Sequence, residues 1–192
     1  MRIVAGTFRG RPLVAPKGQS TRPTADRTRQ ALFNVLAHAP WSPGLDGARV
    51  IDVFAGSGAL GLEAMSHGAA FCLFVDRNEA ARGAIRQNVG VLNLDDRTRI
   101  DRRDATTLNA RTAGDGAAFD LAFLDPPYGK GLAEAVLARM IAGAWLAPDA
   151  IAVLERGAAD PAPTPEGFAL LDERTWGAAR VSFLRAASPV AS

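Results

Sequence analysis

The chain of 192 residues is long enough for one domain with a small extension, and its 48% content of hydrophobic residues excludes a globally disordered protein. A single cysteine, Cys72, excludes a disulfide framework, and His38 and His67 lack ligand-like spacing, so we expect no metal. The longest apolar runs are too short to span a bilayer and the first residues lack a secretory signal, which favours a cytoplasmic protein, by default a monomer.

Charge is unevenly distributed along the chain, although the formal net charge is only +2. The first 45 residues carry one acid, Asp26, against seven basic side chains, which are Arg2, Arg9, Arg11, Lys17, Arg22, Arg27 and Arg29. A basic arm on a mildly acidic remainder predicts a polyanionic partner at one end of the molecule. The alternative is a basic tail that is only solvated.

The first 45 residues predict an extension that is distinct from a second domain over residues 46–192. Thr24 is a good N-cap for a helix over residues 25–39, whose apolar side chains share one face. Before this helix the pattern predicts an arginine-rich hairpin followed by a loop, over residues 2–5 and 11–15 and then 16–23.

From Arg49 onward, strand-like and helix-like segments alternate, and the chain ends in two further strands. This order predicts an α/β fold with a doubly wound, mostly parallel seven-stranded sheet and an antiparallel C-terminal hairpin. The predicted strands are 50–54, 71–75, 98–101, 119–124, 151–155, 168–171 and 181–184, and the predicted helices are 59–66, 79–92 and 132–144.

A glycine turn follows the first of these strands. Gly56-Ser57-Gly58-Ala59-Leu60-Gly61 matches G-x-G-x-x-G between a strand and a helix, which is also the fingerprint of dinucleotide-binding enzymes. Asp52 distinguishes the two cofactor classes, because a carboxylate opposes a pyrophosphate but attracts the sulfonium and ammonium groups of S-adenosylmethionine (SAM). The turn therefore favours SAM, with a nicotinamide dehydrogenase as the alternative.

Acidic residues also end the next two strands. We expect Asp76 to accept hydrogen bonds from the ribose hydroxyls, and Asp104 with Ala105 to lie beside the adenine ring. Either acid alone could instead be a helix cap. The complete predicted cofactor set is Asp52, Phe54, Gly56, Ser57, Gly58, Asp76, Arg77, Asp104, Ala105 and Asp125.

The sequence Asp125-Pro126-Pro127-Tyr128 follows the apolar strand 119–124. Two prolines cannot continue a central strand, because neither can donate a backbone N–H. The motif is therefore a rigid turn at the carboxyl end of a strand, where open α/β sheets bind ligands.

The segment Asp52–Ala64, together with Asp125–Tyr128, resembles the class I, Rossmann-like SAM-dependent methyltransferases that methylate exocyclic amines. Residues 22–27, Leu32-Phe33-Asn34 and the opening residues 2–6 and 9–11 are similar to one family among them. These are the bacterial 16S ribosomal RNA guanine-N2 methyltransferases of the RsmD type, and the resemblance covers nearly the whole chain.

The resemblance implies methyl transfer to the N2 amine of a guanine in 16S RNA. In that reading Asp125 and the Pro126 carbonyl accept hydrogen bonds from the amine, and Tyr128 stacks on the extruded base. The seven basic residues of the arm would bind RNA phosphates. Because a short arm reads little sequence, we expect an assembled or partly assembled small subunit (30S particle) as substrate.

Three other functions remain open from the residues. DNA adenine methyltransferases share the chemistry of the Asp125–Tyr128 motif, and protein glutamine methyltransferases use a closely related motif. A dinucleotide-dependent dehydrogenase is disfavoured by Asp52, and a non-catalytic RNA-binding module by the intact acidic residues.

Overall fold

A computed structural model describes residues 1–16, 23–127, 132–157, 160 and 165–187. It contains the predicted α/β fold: a seven-stranded sheet in the order β3-β2-β1-β4-β5-β7-β6 with four helices among the described residues. The strands are β1 Arg49–Val53, β2 Phe71–Val75, β3 Thr98–Asp101, β4 Phe119–Leu124, β5 Leu146–Gly157, β6 Phe168–Trp176 and β7 Ala179–Ala186. The helices are α1 Pro23–His38, α2 Ala59–Ser66, α3 Glu79–Leu92 and α4 Leu132–Ala142.

The sheet is parallel from β3 to β5, and β7 joins it antiparallel to β5, with β6 at the edge. From β1 the chain first builds outward through β2 and β3, and then returns to place β4 on the other side of β1. The strand order therefore reverses between β1 and β4. Ligands of doubly wound sheets bind outside the carboxyl ends of the strands at such a point.

Several element boundaries differ from the sequence predictions for local reasons. The first strand ends at Val53, one residue early, because Phe54 adopts a left-handed φ of 62°. The helix predicted from Ala25 begins at Pro23, so Thr24 is not its N-cap; proline suits a first helical turn because the N–H it lacks has no partner there. β5, β6 and β7 are each longer than predicted.

The predicted N-terminal hairpin is reduced to one isolated bridge between Arg2 and Pro12. Ile3 donates its N–H to the Arg11 carbonyl at 2.9 Å, and Gly10 donates to the Ile3 carbonyl at 2.9 Å. On the other side of the bridge Leu13 donates its N–H to the Met1 carbonyl at 3.0 Å, so Arg2 and Pro12 form the non-hydrogen-bonded pair between these bonds.

Side chains alternate between two buried clusters, one on each face of the sheet. One cluster joins sheet residues such as Val50, Phe74 and Phe123 to side chains of α1, α2, α3 and the N-terminal arm, including Ile3, Leu13, Leu32, Phe33 and Leu36. The other joins Ile51, Val53 and Leu124 to α4. The arm therefore shares a core with the sheet; the division at residue 45 stays a prediction.

Within the described parts of the chain, no helix combines the length and the apolar character needed to cross a membrane.

Candidate active site

The turn between β1 and α2 consists largely of left-handed backbone. Phe54, Gly56 and Gly58 have φ values of 62°, 56° and 76°. A left-handed conformation is costly for phenylalanine but ordinary for glycine, so Phe54 is a strained residue within a turn that needs its glycines. Such strain is concentrated at ligand sites, and the bend leaves backbone groups near the start of α2 accessible to a ligand.

The third glycine, Gly61, has a packing role. A Cβ atom there would lie 2.4 Å from the Phe74 ring and 2.6 Å from the Cys72 sulfur, so only glycine allows α2 to lie this close to β2. The Gly61 N–H donates to the Asp52 carboxylate at 2.9 Å. The last residue of the motif is thus held against the sheet.

Asp52 lies beneath the turn and is only 2% exposed. Burial is the main cause that raises the pKa of its carboxyl well above the ordinary value, and the charges of Asp125 and Asp76 add to it, while the Gly61 N–H opposes it. In this position Asp52 supports α2 through the Gly61 N–H.

Asp76 connects the end of β2 to the same turn. Its carboxylate accepts the N–H of Gly56 at 2.9 Å and the N–H of Asn78 at 2.8 Å. Asn78 in turn caps α3, as predicted, by accepting the Ala80 N–H. Asp76 is half-buried, and its oxygens keep lone pairs for further donors.

Asp104 follows β3 beside the buried Ala105 and caps a short 3₁₀ turn. The Thr106 hydroxyl and N–H both donate to its carboxylate, and Arg77 lies 3.1 Å away. The Thr106 hydrogen bonds, with Arg77 as a further cause, lower the pKa of Asp104, so this residue is an anion. Acids therefore end three neighbouring strands along one edge of the sheet.

Asp125 lies at the carboxyl end of β4, where the strand order reverses. Val53 of β1 pairs with Leu124, and the Asp125 N–H lies 3.5 Å from the Val53 carbonyl, so Asp125 is beside the glycine turn. The pKa of Asp125 is raised to about 7, chiefly because the surrounding protein removes water from its carboxyl and secondly because Glu155 is a nearby like charge. The residue nevertheless keeps some contact with solvent. Pro126 is buried and Pro127 is exposed. Tyr128 lies outside the described residues.

Of the five basic residues of the arm that the structure describes, four are exposed and one is buried. Arg2, Arg9, Arg11 and Arg27 are exposed, whereas Lys17 and Arg22 lie outside the described residues. Arg29 was predicted to bind RNA, but it is only 4% exposed and its guanidinium is hydrogen-bonded to Asp26, Glu63 and the Arg2 carbonyl. Since no face of Arg29 is open to a phosphate, that prediction is wrong.

Glu63 is a buried residue that the sequence predictions missed. It is fully buried on α2, where its carboxylate accepts the N–H groups of Val4 at 3.0 Å and Ala5 at 2.8 Å and lies 3.2 Å from Arg29 Nε. The only signal in the sequence is an acid among apolar residues of a short helix. Glu63 therefore joins two parts of the arm, its first residues and α1, to α2, the helix that follows the glycine turn.

Asn88 and Ser66 make similar connections. The buried Asn88 side chain on α3 accepts the Val14 N–H at 2.8 Å and donates to the carbonyls of Val14 and Ser57, each at 3.0 Å. Ser66 donates to the Ala5 carbonyl at 2.6 Å and accepts the Phe8 N–H at 2.9 Å. The arm is therefore attached to the glycine turn itself.

A family model described as "Conserved hypothetical protein 95" matches residues 1–185. The chain is 39% identical over 137 residues to the "Putative rRNA methyltransferase YlbH" of Bacillus subtilis (strain 168), covering 71% of this chain and 72% of that one. It is 34% identical over 178 residues to the "Ribosomal RNA small subunit methyltransferase D" of Escherichia coli (strain K12), covering 92% and 85% of the two chains.

Among solved structures, the "Putative methyltransferase yhhF from Escherichia coli" superposes with a TM-score of 0.83 at 31% identity, over 97% of this chain and 98% of that one. The sheet order and the antiparallel C-terminal strands therefore have the arrangement of class I methyltransferases. Both the sequence and the structural matches extend over the arm as well as the sheet. The chain belongs to the family described as conserved hypothetical protein 95, and its predicted resemblance to the RsmD-type methyltransferases is confirmed.

Proposed function

We propose that this protein is an rRNA methyltransferase that transfers a methyl group from SAM to the exocyclic N2 amine of a guanine in small-subunit RNA. One observation carries the proposal: the pairing of Val53 with Leu124 puts Asp125 beside the left-handed glycine turn at the reversal of the strand order. A cofactor pocket and a rigid set of hydrogen-bond acceptors are thereby adjacent. The RNA substrate is inferred from the relatives described above.

The charges around the turn fit SAM better than a dinucleotide. Asp52 lies beneath the turn, Asp76 accepts the Gly56 N–H, and Asp125 lies beside it, so a pyrophosphate would meet three carboxyl groups. The sulfonium and ammonium groups of SAM are cations, which Asp76 attracts and which favour the ionised form of Asp52 and Asp125, whereas a pyrophosphate would disfavour it. When bound, SAM supplies an electrophilic methyl group. Asp76 would accept hydrogen bonds from the ribose hydroxyls of SAM, and Asp104 with Ala105 would lie beside its adenine ring.

Asp125 and the Pro126 carbonyl would act on the amine. The nitrogen lone pair of guanine N2 is delocalised into the base, and hydrogen bonds from its N–H groups to these acceptors favour a tetrahedral nitrogen with a free lone pair. The diproline restricts the backbone, so the acceptors lose little freedom on binding. As the nitrogen becomes positive, a deprotonated Asp125 attracts it more strongly than in the ground state. Tyr128 is proposed to stack on the base.

Label transfer tests the proposal. Purified protein is incubated with methyl-labelled SAM and, separately, small-subunit RNA, assembled and partly assembled small subunits, duplex DNA and cell protein. We expect label in the RNA as N2-methylguanine, with more label in particles than in naked RNA. Label in DNA adenine or protein glutamine, with none in small-subunit RNA, would reject the RNA assignment. Dependence on a nicotinamide cofactor would reject SAM.

The raised pKa of Asp125 predicts the pH dependence of the reaction. Its carboxyl is protonated below about pH 7 and cannot then stabilise a cationic amine, so kcat should rise as the pH increases through about 7 and level off above it. Glu155→Gln removes a like charge, which lowers the pKa of Asp125 and moves the rising limb to lower pH. Initial rates at saturating SAM and RNA measure this limb.

The matched control for that experiment is Asp96→Asn. Asp96 is an exposed acid in the short turn that precedes β3, at the opposite end of the sheet. Its replacement should leave the limb in place. A limb that stays in place in Glu155→Gln, or moves to higher pH, contradicts the assigned effect of Glu155 on Asp125.

A further inference from the structure

An open cleft of about 490 Å³ separates the N-terminal segment from α1. Its size is in the range of about 300–1,000 Å³ that is usual for small-ligand sites. The lining residues come from two elements: Arg2, Ile3, Val4, Arg9 and Gly10 on one wall, and Asp26, Arg27 and Gln30 on the other. The glycine turn contributes no residue to this cleft, so it is a second site.

Buried contacts hold the two walls at a fixed distance. The Arg29 guanidinium donates to the Arg2 carbonyl on one wall and to the Asp26 carboxylate, at 2.8 Å, on the other. Its Nε lies 3.2 Å from Glu63, which also accepts the Val4 N–H. Because these groups are already paired, the cleft is formed before any ligand enters, and little ordering is required on binding.

The chemistry of the lining suits a nucleotide. Arg2, Arg9 and Arg27 are exposed, and no ion pair involves any of them within the described ranges. The single acid, Asp26, is paired with Arg29, so the cleft is positively charged and can bind phosphate. Gln30 adds an exposed amide that can both donate to and accept from the edge of a base.

We propose that this cleft binds a single-stranded RNA segment, with successive phosphates on the three arginines and the edge of one base on Gln30. The proposal rests on the proposed RNA substrate. Through Gln30 the arm would recognise a base, in addition to the positive charge that it contributes to RNA binding. A duplex cannot present an unpaired base edge to a cleft of this size, so the ligand is single-stranded.

Fluorescence anisotropy with short labelled single-stranded oligoribonucleotides, titrated at several salt concentrations, tests the charge component. Arg2→Ala, Arg9→Ala and Arg27→Ala should each reduce the slope of log affinity against log salt by about 0.7, the value for one phosphate on a single strand. Arg97→Ala removes the same charge from an exposed position in the turn before β3 and should leave the slope unchanged. Equal slopes in all four variants would overturn the proposal.

Base reading is tested with Gln30→Ala. The native protein should prefer some homopolymeric oligoribonucleotides over others, and this variant should lose about fivefold or more of that preference with the same salt slope. Photocrosslinking of 4-thiouridine RNA should label residues 1–11 or 23–38. Absence of any base preference, equal affinity for duplex RNA, or crosslinks confined to other segments would overturn the nucleotide assignment.

These measurements require binding only. If small-subunit RNA receives no methyl group but the cleft variants lose salt dependence and base preference, the proposed reaction fails while the cleft assignment stands. If the RNA is methylated but the cleft variants bind like the native protein, the cleft assignment fails alone.

Discussion

Replacing Asp125 with alanine should lower kcat for methyl transfer by about 10²–10³-fold or more, as removal of one preorganised electrostatic group does in other enzymes. Asp125 is the titratable group that follows β4 directly, and its side chain would contact the amine as positive charge develops. The SAM dissociation constant should change little, because Asp52, Asp76 and the glycine turn remain. Steady-state rates with labelled SAM at saturating RNA measure kcat, and calorimetry measures SAM binding.

Two further variants sharpen this result. Asp125→Asn keeps an acceptor oxygen but removes the charge, so it should retain more activity than alanine and lose the rise in rate near pH 7. Asp96→Ala is the matched control, since Asp96 is exposed at the opposite end of the sheet. Near-native kcat in Asp125→Ala would refute the assigned role, and a large loss of SAM affinity would make Asp125 chiefly a cofactor ligand.

The second large effect concerns stability. Glu63→Ala should lower the free energy of unfolding by about 3–5 kcal/mol, because the substitution removes one of the two acidic partners of the buried Arg29 guanidinium and leaves the N–H groups of Val4 and Ala5 without their acceptor. Urea denaturation followed by circular dichroism measures this change. Because the arm attaches to α2 through Glu63, RNA affinity should fall as well.

Glu79 offers a control for this prediction. It also forms ion pairs with two arginines, Arg82 and Arg86, but its side chain is 69% exposed. Surface ion pairs stabilise proteins little, so Glu79→Ala should leave the unfolding midpoint nearly unchanged. Glu63→Gln, which keeps the acceptor but not the charge, should fall between the two. If the urea midpoint of unfolding of Glu63→Ala equals that of the native protein, the buried Glu63–Arg29 pair does not hold the arm.

The comparison of Arg29 with Arg27 explains why RNA-binding residues were only partly predictable. Both stand in the same basic segment of the sequence, and α1 places them two residues apart, hence on different faces of the helix. Arg27 is exposed, whereas Arg29 is buried against Glu63. The acid that selects between them lies 34 positions away on α2, and no local pattern reports it.

At the edge of the sheet that carries the candidate active site, some features were likewise predictable from local sequence and others depended on distant residues. Alternation of strands and helices, the glycine motif and the diproline turn predicted the sheet, the cofactor turn and the place where β4 ends. These features are local, since each depends on the backbone preferences of neighbouring residues. The raised pKa of Asp125 depends instead on burial by the folded protein and then on the charge of Glu155, which follows Leu154 on the adjacent strand and is thirty positions away in the chain.

The sequence by itself therefore determined the class of fold, the order of its elements and the acids that end its parallel strands. Only the tertiary structure decided that Asp52 lies beneath the turn, that Arg29 belongs to the core and that Glu63 and Asn88 attach the arm to the cofactor helix and turn. The physical reason is that a charge or polar group is buried only where a partner satisfies it. Those partners come from distant parts of the chain and meet only when it folds.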